Sequence, residues 1–197
     1  LINYNNYPKI LLDTKINYKS HIIDIIDCPM MSVQKEIYLK NLELSNKLDS
    51  DISAAWNTES QISNFVYQSF KDSGNNIKFC YGENGFNELF YTKRNINYFK
   101  DEKKAKNFLM ENIQNYSNKI YKILQNIKKS NGPVFIFSRY IKGGLIPIVI
   151  ALEMNGYKHY KGSDFIKSEY KSSDYKGDYI IKTGSSENYA NIESYLN

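Results

Sequence analysis

Cysteine, arginine and proline are scarce in this sequence of 197 residues, and it contains no long hydrophobic run. The two cysteines, Cys28 and Cys80, are too few for a disulfide framework or a cysteine-ligated zinc site, which indicates a reducing compartment. Since no apolar run approaches the roughly 20 residues of a membrane-spanning helix, we expect no membrane partner. Residues 1–8 lack the features of a secretory signal, so we expect a cytoplasmic protein that is not secreted.

The composition is that of a folding chain with a modest excess of positive charge. Hydrophobic residues make up 42% of the sequence and aromatic residues 15%, which is enough to bury a core. The net charge of +5 suits a polyanionic partner, but when spread over 197 residues it is more often a solvated surface. Charge alone therefore leaves both interpretations open.

The first two thirds of the chain have an uneven hydrophobic pattern. The β-branched run at residues 21–28 predicts a buried strand, and Ser32 offers the N-cap of an amphipathic helix that extends through residue 48. Residues 49–102 are the least regular and predict an insertion or linker with short elements. Residues 103–129 carry one apolar stripe on a polar background, which predicts a long amphipathic helix.

The last third alternates between strand and helix patterns. Residues 133–138 predict an apolar strand, and Gly143-Gly144 open an apolar helix at residues 145–154. Asn155-Gly156 should end that helix. The further elements expected are a strand at 157–160, a charged surface loop at 164–174, a strand at 178–182 and a short helix to residue 196. This order predicts an α/β fold with a three-layer parallel sheet.

The loop between the strand at 133–138 and its helix combines groups that bind phosphate. Ser138 supplies a hydroxyl, Arg139 a guanidinium and Lys142 an ammonium group. Gly143 and Gly144 permit close approach to backbone N–H groups at a helix N-terminus, where anions are favoured. Alternatively, Arg139 pairs with a nearby acid and the glycines only form a tight turn. The residues themselves leave both interpretations open.

A second strand end carries similar groups at Thr183, Gly184 and Ser185. Ser185 is first of all a candidate helix N-cap and only then a phosphate ligand. The carboxyl ends of parallel strands meet at one edge of a sheet. If both loops lie at that edge, they can bind neighbouring phosphates of one nucleic-acid strand.

Motifs of enzyme chemistry are absent from the sequence. It contains no Gly-x-x-x-x-Gly-Lys-Ser/Thr phosphate loop, no His-Glu-x-x-His and no Cys-x-x-Cys. His21 and His159 are far apart, and we interpret each as a surface or satisfied residue. A small enzyme acting on a phosphorylated metabolite would use the same loop at 138–144, but no acid–base residue lies beside it. We therefore predict no catalytic residue and no metal site.

Four landmarks occur in order along the chain, at residues 28–38, at 61–67, at 132–157 and, in two stretches, at 179–184 and 192–197. Together they resemble the second RecA-like lobe of superfamily-two helicases, and residues 132–157 are similar to motif IV and the helix after it. The resemblance is to the viral and linear-plasmid branch, which includes poxvirus nucleoside triphosphate phosphohydrolase, the helicase subunit of the poxvirus early transcription factor and giant-virus relatives. Two positions depart from the family pattern, since Gln68 replaces a proline and Leu196 a phenylalanine.

The resemblance implies part of an ATP-dependent DNA or RNA helicase or translocase. In such a parent, ATP and Mg²⁺ bind between two lobes, and this lobe contacts the phosphates of the tracked strand. The residues that the resemblance and the loop chemistry assign to those contacts are Ser138, Arg139, Lys142, Gly143, Gly144, Thr183, Gly184 and Ser185. Walker A, Walker B and the arginine finger are missing. We therefore expect a fragment that is inactive by itself and binds no cofactor alone.

The resemblance also implies a division of the chain and a set of partners. The expected parts are a leading segment at 1–20, the start of the lobe at 21–48, a mixed or helical insertion at 49–130, and the RecA-like core with motif IV at 131–197. Expected partners are a DNA or RNA backbone and the missing first lobe or other subunits, in the cytoplasm, a viral factory or a virion. The alternative is a non-catalytic scaffold or interaction subunit of a viral transcription or replication complex, with a degenerate RecA-like fold.

Overall fold

The computed structural model describes residues 25–45 and 52–183, which form a mixture of helices and short strands. The α-helices in this part of the chain are α1 (Ser32–Ser45), α2 (Ile52–Asn64), α3 (Gly82–Leu89), α4 (Asn118–Lys129) and α5 (Ile146–Met154). The strands are β1 (Phe90–Lys93), β2 (Ile96–Phe99), β3 (Tyr157–His159), β4 (Ile166–Lys167) and β5 (Gly177–Tyr179). Short 3₁₀ turns occupy Ile77–Phe79, Glu102–Phe108 and Ile113–Asn115, and a π-helical turn, Ile141–Leu145, leads into α5.

The strands form two small sheets. Within the described residues, β1, β2 and β4 make a three-stranded sheet, and β3 and β5 make a two-stranded one. The pair β1–β2 is antiparallel, whereas β2–β4 and β3–β5 are parallel. The expectation of mixed helices and strands is therefore confirmed, but a single three-layer parallel sheet is not formed by these residues.

A two-residue turn joins β1 to β2. Arg94 and Asn95 have φ values of 52° and 63°, as expected for a type I′ turn, which suits the twist of a hairpin. The hairpin places Phe90 opposite Phe99, and both side chains are buried. It thereby contributes two aromatic rings to the core.

The main core is an aromatic cluster packed against α5. Every residue of α5 is buried, as expected for a helix that is apolar on all sides. The ring of Phe90 lies 4.8 Å from that of Phe86 and 4.6 Å from that of Phe99. Phe65 and Phe108 continue the cluster, with ring centroids 5.2 Å apart. Residues of the predicted insertion thus pack in the same cluster as α5; the predicted domain boundaries stay a prediction.

Two segments that were predicted as buried strands do not form strands in the described residues. The side chains of Phe135 and Phe137, within residues 133–138, are 85% and 94% exposed. Residues 25–28 are also outside any strand, and Ile25 is 86% exposed; the remainder of that predicted strand, 21–24, lies outside the described residues. These predictions were wrong because an apolar run becomes a buried strand only where another strand pairs with it and a second layer covers it.

The middle of the chain is more regular at 49–102 and less regular at 103–129 than the sequence predicts. The first range contains α2, α3 and the β1–β2 hairpin. The second is not one helix but two 3₁₀ turns followed by α4, which begins where the Ile120 N–H donates to Ser117 Oγ at 3.0 Å. The apolar stripe itself is confirmed, since Phe108, Ile113, Ile120 and Leu124 are all buried.

The segments after α5 agree in part with the sequence pattern. Asn155 caps α5, Gly156 follows with φ +97°, and β3 lies within the predicted strand at 157–160. The predicted surface loop at 164–174 instead contains β4, where Ile166 is fully buried. The predicted helix to residue 196 lies outside the described residues, as does residue 48 of the first predicted helix.

No helix in the described ranges combines the length and the apolar character needed to cross a bilayer.

Candidate nucleic-acid interface

The candidate loop at 138–144 includes most of the π-helical turn, Ile141–Leu145, that precedes α5. The N–H of Leu145, the last residue of this turn, donates to Tyr140 O at 2.9 Å. Lys142, Gly143 and Gly144 belong to this turn, and both glycines are buried there. These residues lie at the N-terminal, partly positive end of α5.

Ser138 shapes this loop from inside. Its hydroxyl donates to Tyr140 O at 3.0 Å, and Tyr140 N–H approaches Ser138 Oγ at 3.3 Å. Gly144 packs directly against Ser138 Oγ, and a Cβ at position 144 would overlap that oxygen. Ser138 is thus engaged within the loop, and Gly144 is required by the close packing of the serine.

Gly143 lies against a residue that the sequence did not single out as part of the site. A Cβ at position 143 would lie 2.6 Å from Gln61 Oε1, and one at Gly82 would lie 2.5 Å from the same atom. Gly82 also has φ +60°, which favours glycine. The Gln61 side chain is therefore held between two glycines, one in the loop and one at the start of α3. The only sequence signal for Gln61 was its position at the start of the second landmark, 61–67.

Lys142 is held by contacts at both its backbone and its side chain. Its ammonium lies 2.6 Å from Glu83 Oε1 and 5.2 Å from the centroid of the Phe86 ring. Its carbonyl accepts a hydrogen bond from Tyr67 OH at 2.5 Å. Burial raises the pKa of the Tyr67 hydroxyl well above its ordinary value, so this group remains a donor. Glu83 is the acid beside the loop, and its partner is Lys142.

Arg139 is the exposed cation of the loop. Its guanidinium lies 5.9 Å from the centroid of the Tyr140 ring, and none of the ion pairs among the described residues involves it. The alternative in which Arg139 pairs with an acid is therefore not seen here. The loop residues that follow Arg139 border a cavity of about 300 Å³. The lining residues are Gln61, Glu83, Tyr140, Ile141, Lys142 and Gly143.

The second candidate loop is described only at its first residue. Thr183 follows β5, which pairs with β3, and Gly184 and Ser185 lie outside the described residues. The expectation that both loops share one sheet edge therefore stays a prediction.

The histidine and acidic groups do not form a metal centre in the described ranges, where no cluster of three or more suitable ligands occurs. The ring of His159 packs edge-on against Tyr179 at 5.2 Å. Glu153, fully buried in α5, accepts from Tyr179 OH at 2.6 Å and from Phe165 N–H at 2.8 Å. Because it is surrounded by donors, Glu153 has a structural role.

No protein-family model, curated protein or solved structure matches this chain. The chemistry of the loop therefore has to be argued from its own residues.

Proposed function

We propose that residues 138–144 bind the phosphate backbone of a DNA or RNA strand, and that the chain is part of the second RecA-like lobe of a cytoplasmic ATP-dependent helicase or translocase. The observation that supports this most directly is the exposed guanidinium of Arg139 in the loop that leads to the N-terminus of α5. The resemblance of residues 132–157 to motif IV supports the assignment of the same loop to the nucleic-acid side of such a lobe.

The chemistry of the loop suits a phosphate better than a base. A guanidinium presents paired N–H donors that match two phosphate oxygens, and helix-start N–H groups add neutral donors. Contacts of this kind position a strand without reading its sequence. The proposed binding is therefore independent of base sequence and weakens with added salt.

The proposal assigns no hydrolysis to this chain alone. ATP and Mg²⁺ would be held by the parent's other lobe, with its phosphate loop and Walker B carboxylate, and this chain would provide one wall of the cleft. We propose the three-layer RecA-like sheet only for the intact lobe of the parent, since the described residues form two small sheets. The assignment of residues 49–130 as an insertion belongs to the same proposal.

The first test is binding to a fluorescein-labelled oligothymidylate, followed by anisotropy over a series of KCl concentrations. Arg139→Asn should weaken binding by about three- to tenfold and lower the slope of log K against log[KCl] by about one. Arg94→Asn is the matched control, because Arg94 is an exposed arginine in the hairpin turn and asparagine tolerates its φ of 52°.

Two results would contradict the proposal. One is the absence of binding at low salt in both the wild type and the variants. The other is an equal loss in Arg139→Asn and Arg94→Asn, which would show that only net charge matters. Either result would favour the alternative, a non-catalytic scaffold or interaction subunit of a transcription or replication complex.

A further inference from the structure

We propose that Glu83 competes with the nucleic acid for Lys142. In the free protein the Glu83 carboxylate pairs with the Lys142 ammonium, and a phosphate must displace this carboxylate when the strand binds. This inference rests on the proposed function and adds a residue from α3 to the loop that the sequence marked. It assigns Lys142 to the interface in the bound state and Glu83 to the control of affinity.

The geometry of the pair is that of a competitor rather than of a buried structural bridge. Glu83 Oε1 lies 2.6 Å from Lys142 Nζ, and both residues line the cavity that borders the loop. The Glu83 side chain is 68% exposed and that of Lys142 34%. A carboxylate and a phosphate oxygen make the same charge-assisted bond to an ammonium, so one can replace the other at this place.

The surroundings allow the exchange without rearrangement of the fold. The Lys142 backbone is fixed by the Tyr67 hydroxyl, so only the end of the lysine side chain has to turn. Glu83 lies in the first turn of α3, where the helix dipole favours a carboxylate even without the lysine. The second oxygen acceptor near Lys142 Nζ is the neutral Asn87 side chain at 3.5 Å, which does not compete in charge.

The exchange should have a measurable but small energetic effect. Exposed ion pairs contribute little to stability because water and salt screen them. Removing the Glu83 charge should therefore tighten binding by about two- to fivefold. It should also steepen the slope of log K against log[KCl] by up to about one. In the wild type the displaced Glu83 carboxylate takes up a cation when the strand binds, and the variant has no such carboxylate.

The experiment compares Glu83→Gln with Glu88→Gln in the same oligothymidylate titration over KCl concentration. Glu88 is an exposed acid on the same helix, so the two variants have the same net charge. We expect Glu83→Gln to bind more tightly than Glu88→Gln. In a Lys142→Gln background, Glu83→Gln should lose this advantage, because no ammonium remains at position 142 for the Glu83 carboxylate to pair with.

The possible outcomes separate this inference from the proposed function. Equal affinities of Glu83→Gln and Glu88→Gln, with Arg139→Asn still weakened, would overturn the competition and leave the proposed function intact. An advantage of Glu83→Gln that persists in the Lys142→Gln background would also overturn it. No binding by wild type or Glu83→Gln at low salt would overturn both. Urea unfolding of each variant shows whether an affinity change reflects loss of folding.

Discussion

The Gln61 side chain sets how closely the candidate loop approaches α2 and α3. It lies between Gly82 and Gly143, and a Cβ on either glycine would come within 2.6 Å of its Oε1. The position of the Lys142 backbone, and with it the Lys142–Glu83 pair, depends on this approach because Lys142 immediately precedes Gly143. A residue without charge thereby controls the geometry of charged groups.

A substitution of Gly143 by alanine tests this packing. The new Cβ would lie 2.6 Å from Gln61 Oε1 and 2.9 Å from Gln61 Cγ, so the glutamine must move. We expect Gly143→Ala to lower the free energy of unfolding by about 1–2 kcal/mol, as overpacking does. In a Gln61→Ala background the same change should be neutral or slightly stabilising, because alanine favours a helical turn over glycine. Urea unfolding of the wild type, the two single variants and the double variant measures the coupling between positions 61 and 143. An equal loss on Gly143→Ala in both backgrounds would contradict the packing of Gly143 against Gln61.

At the residue scale, the sequence marked the loop as a candidate site but did not predict its contacts. The types and spacing of Ser138, Arg139 and Lys142 were sufficient to mark a phosphate-binding candidate. The partners of those residues were not predictable, since Gln61 and Glu83 come from elements distant in sequence. The packing of these elements pairs Lys142 with Glu83 and leaves Arg139 exposed.

The Glu153 carboxylate joins α5 to the segment that carries β4. It is fully buried. The groups that donate to it are Phe165 N–H, Ile166 N–H, Tyr179 OH and the Lys171 ammonium. A buried charge is tolerated when it is paired and hydrogen-bonded, as here.

Removing this carboxylate should therefore be costly. Glu153→Ala removes the acceptor of the Ile166 and Phe165 N–H groups and of the Tyr179 hydroxyl, whereas Lys171 keeps its pair with Asp164 at 2.9 Å. We expect a loss of about 3–5 kcal/mol in the free energy of unfolding. Glu169→Ala removes an exposed carboxylate from the same region and should change it by about 0.5 kcal/mol or less. The midpoints of urea unfolding compare the two. A loss for Glu153→Ala as small as for the control would contradict the role of Glu153.

At the element scale, local patterns predicted α5 correctly, whereas strand pairing could not be predicted from them. The helix α5 was predicted from its apolar run, its initial glycines and the Asn155-Gly156 stop, all of which are local signals. The strand predicted at 133–138 depended on a neighbour that no pattern within those residues specifies, and Phe137 is exposed instead. The single helix predicted at 103–129 is interrupted because Ser117 caps a new helix within the apolar stripe.

Several tyrosines extend from the core to polar groups in different parts of the molecule. Tyr67 OH donates to Lys142 O, and Tyr179 OH donates to Glu153 Oε1. Burial raises the pKa of both hydroxyls, and the bond to Glu153 raises that of Tyr179 further. Burial also raises the pKa of Tyr116. The folded protein therefore holds protons that the unfolded chain releases at lower pH.

This difference makes the stability of the whole molecule sensitive to alkaline pH. Below the ordinary tyrosine pKa of about 10, both states keep these protons and their contribution is constant. As the pH rises above that value, the unfolded state loses them first, so the free energy of unfolding falls, by up to about 1.4 kcal/mol per pH unit for each such tyrosine. Urea unfolding at a series of pH values measures the fall. Tyr67→Phe cannot ionise at this position. Its free energy of unfolding should therefore fall less steeply with pH than that of the wild type, by up to about 1.4 kcal/mol per pH unit. Identical slopes in the two proteins would show that the buried Tyr67 hydroxyl does not contribute to the alkaline loss of stability.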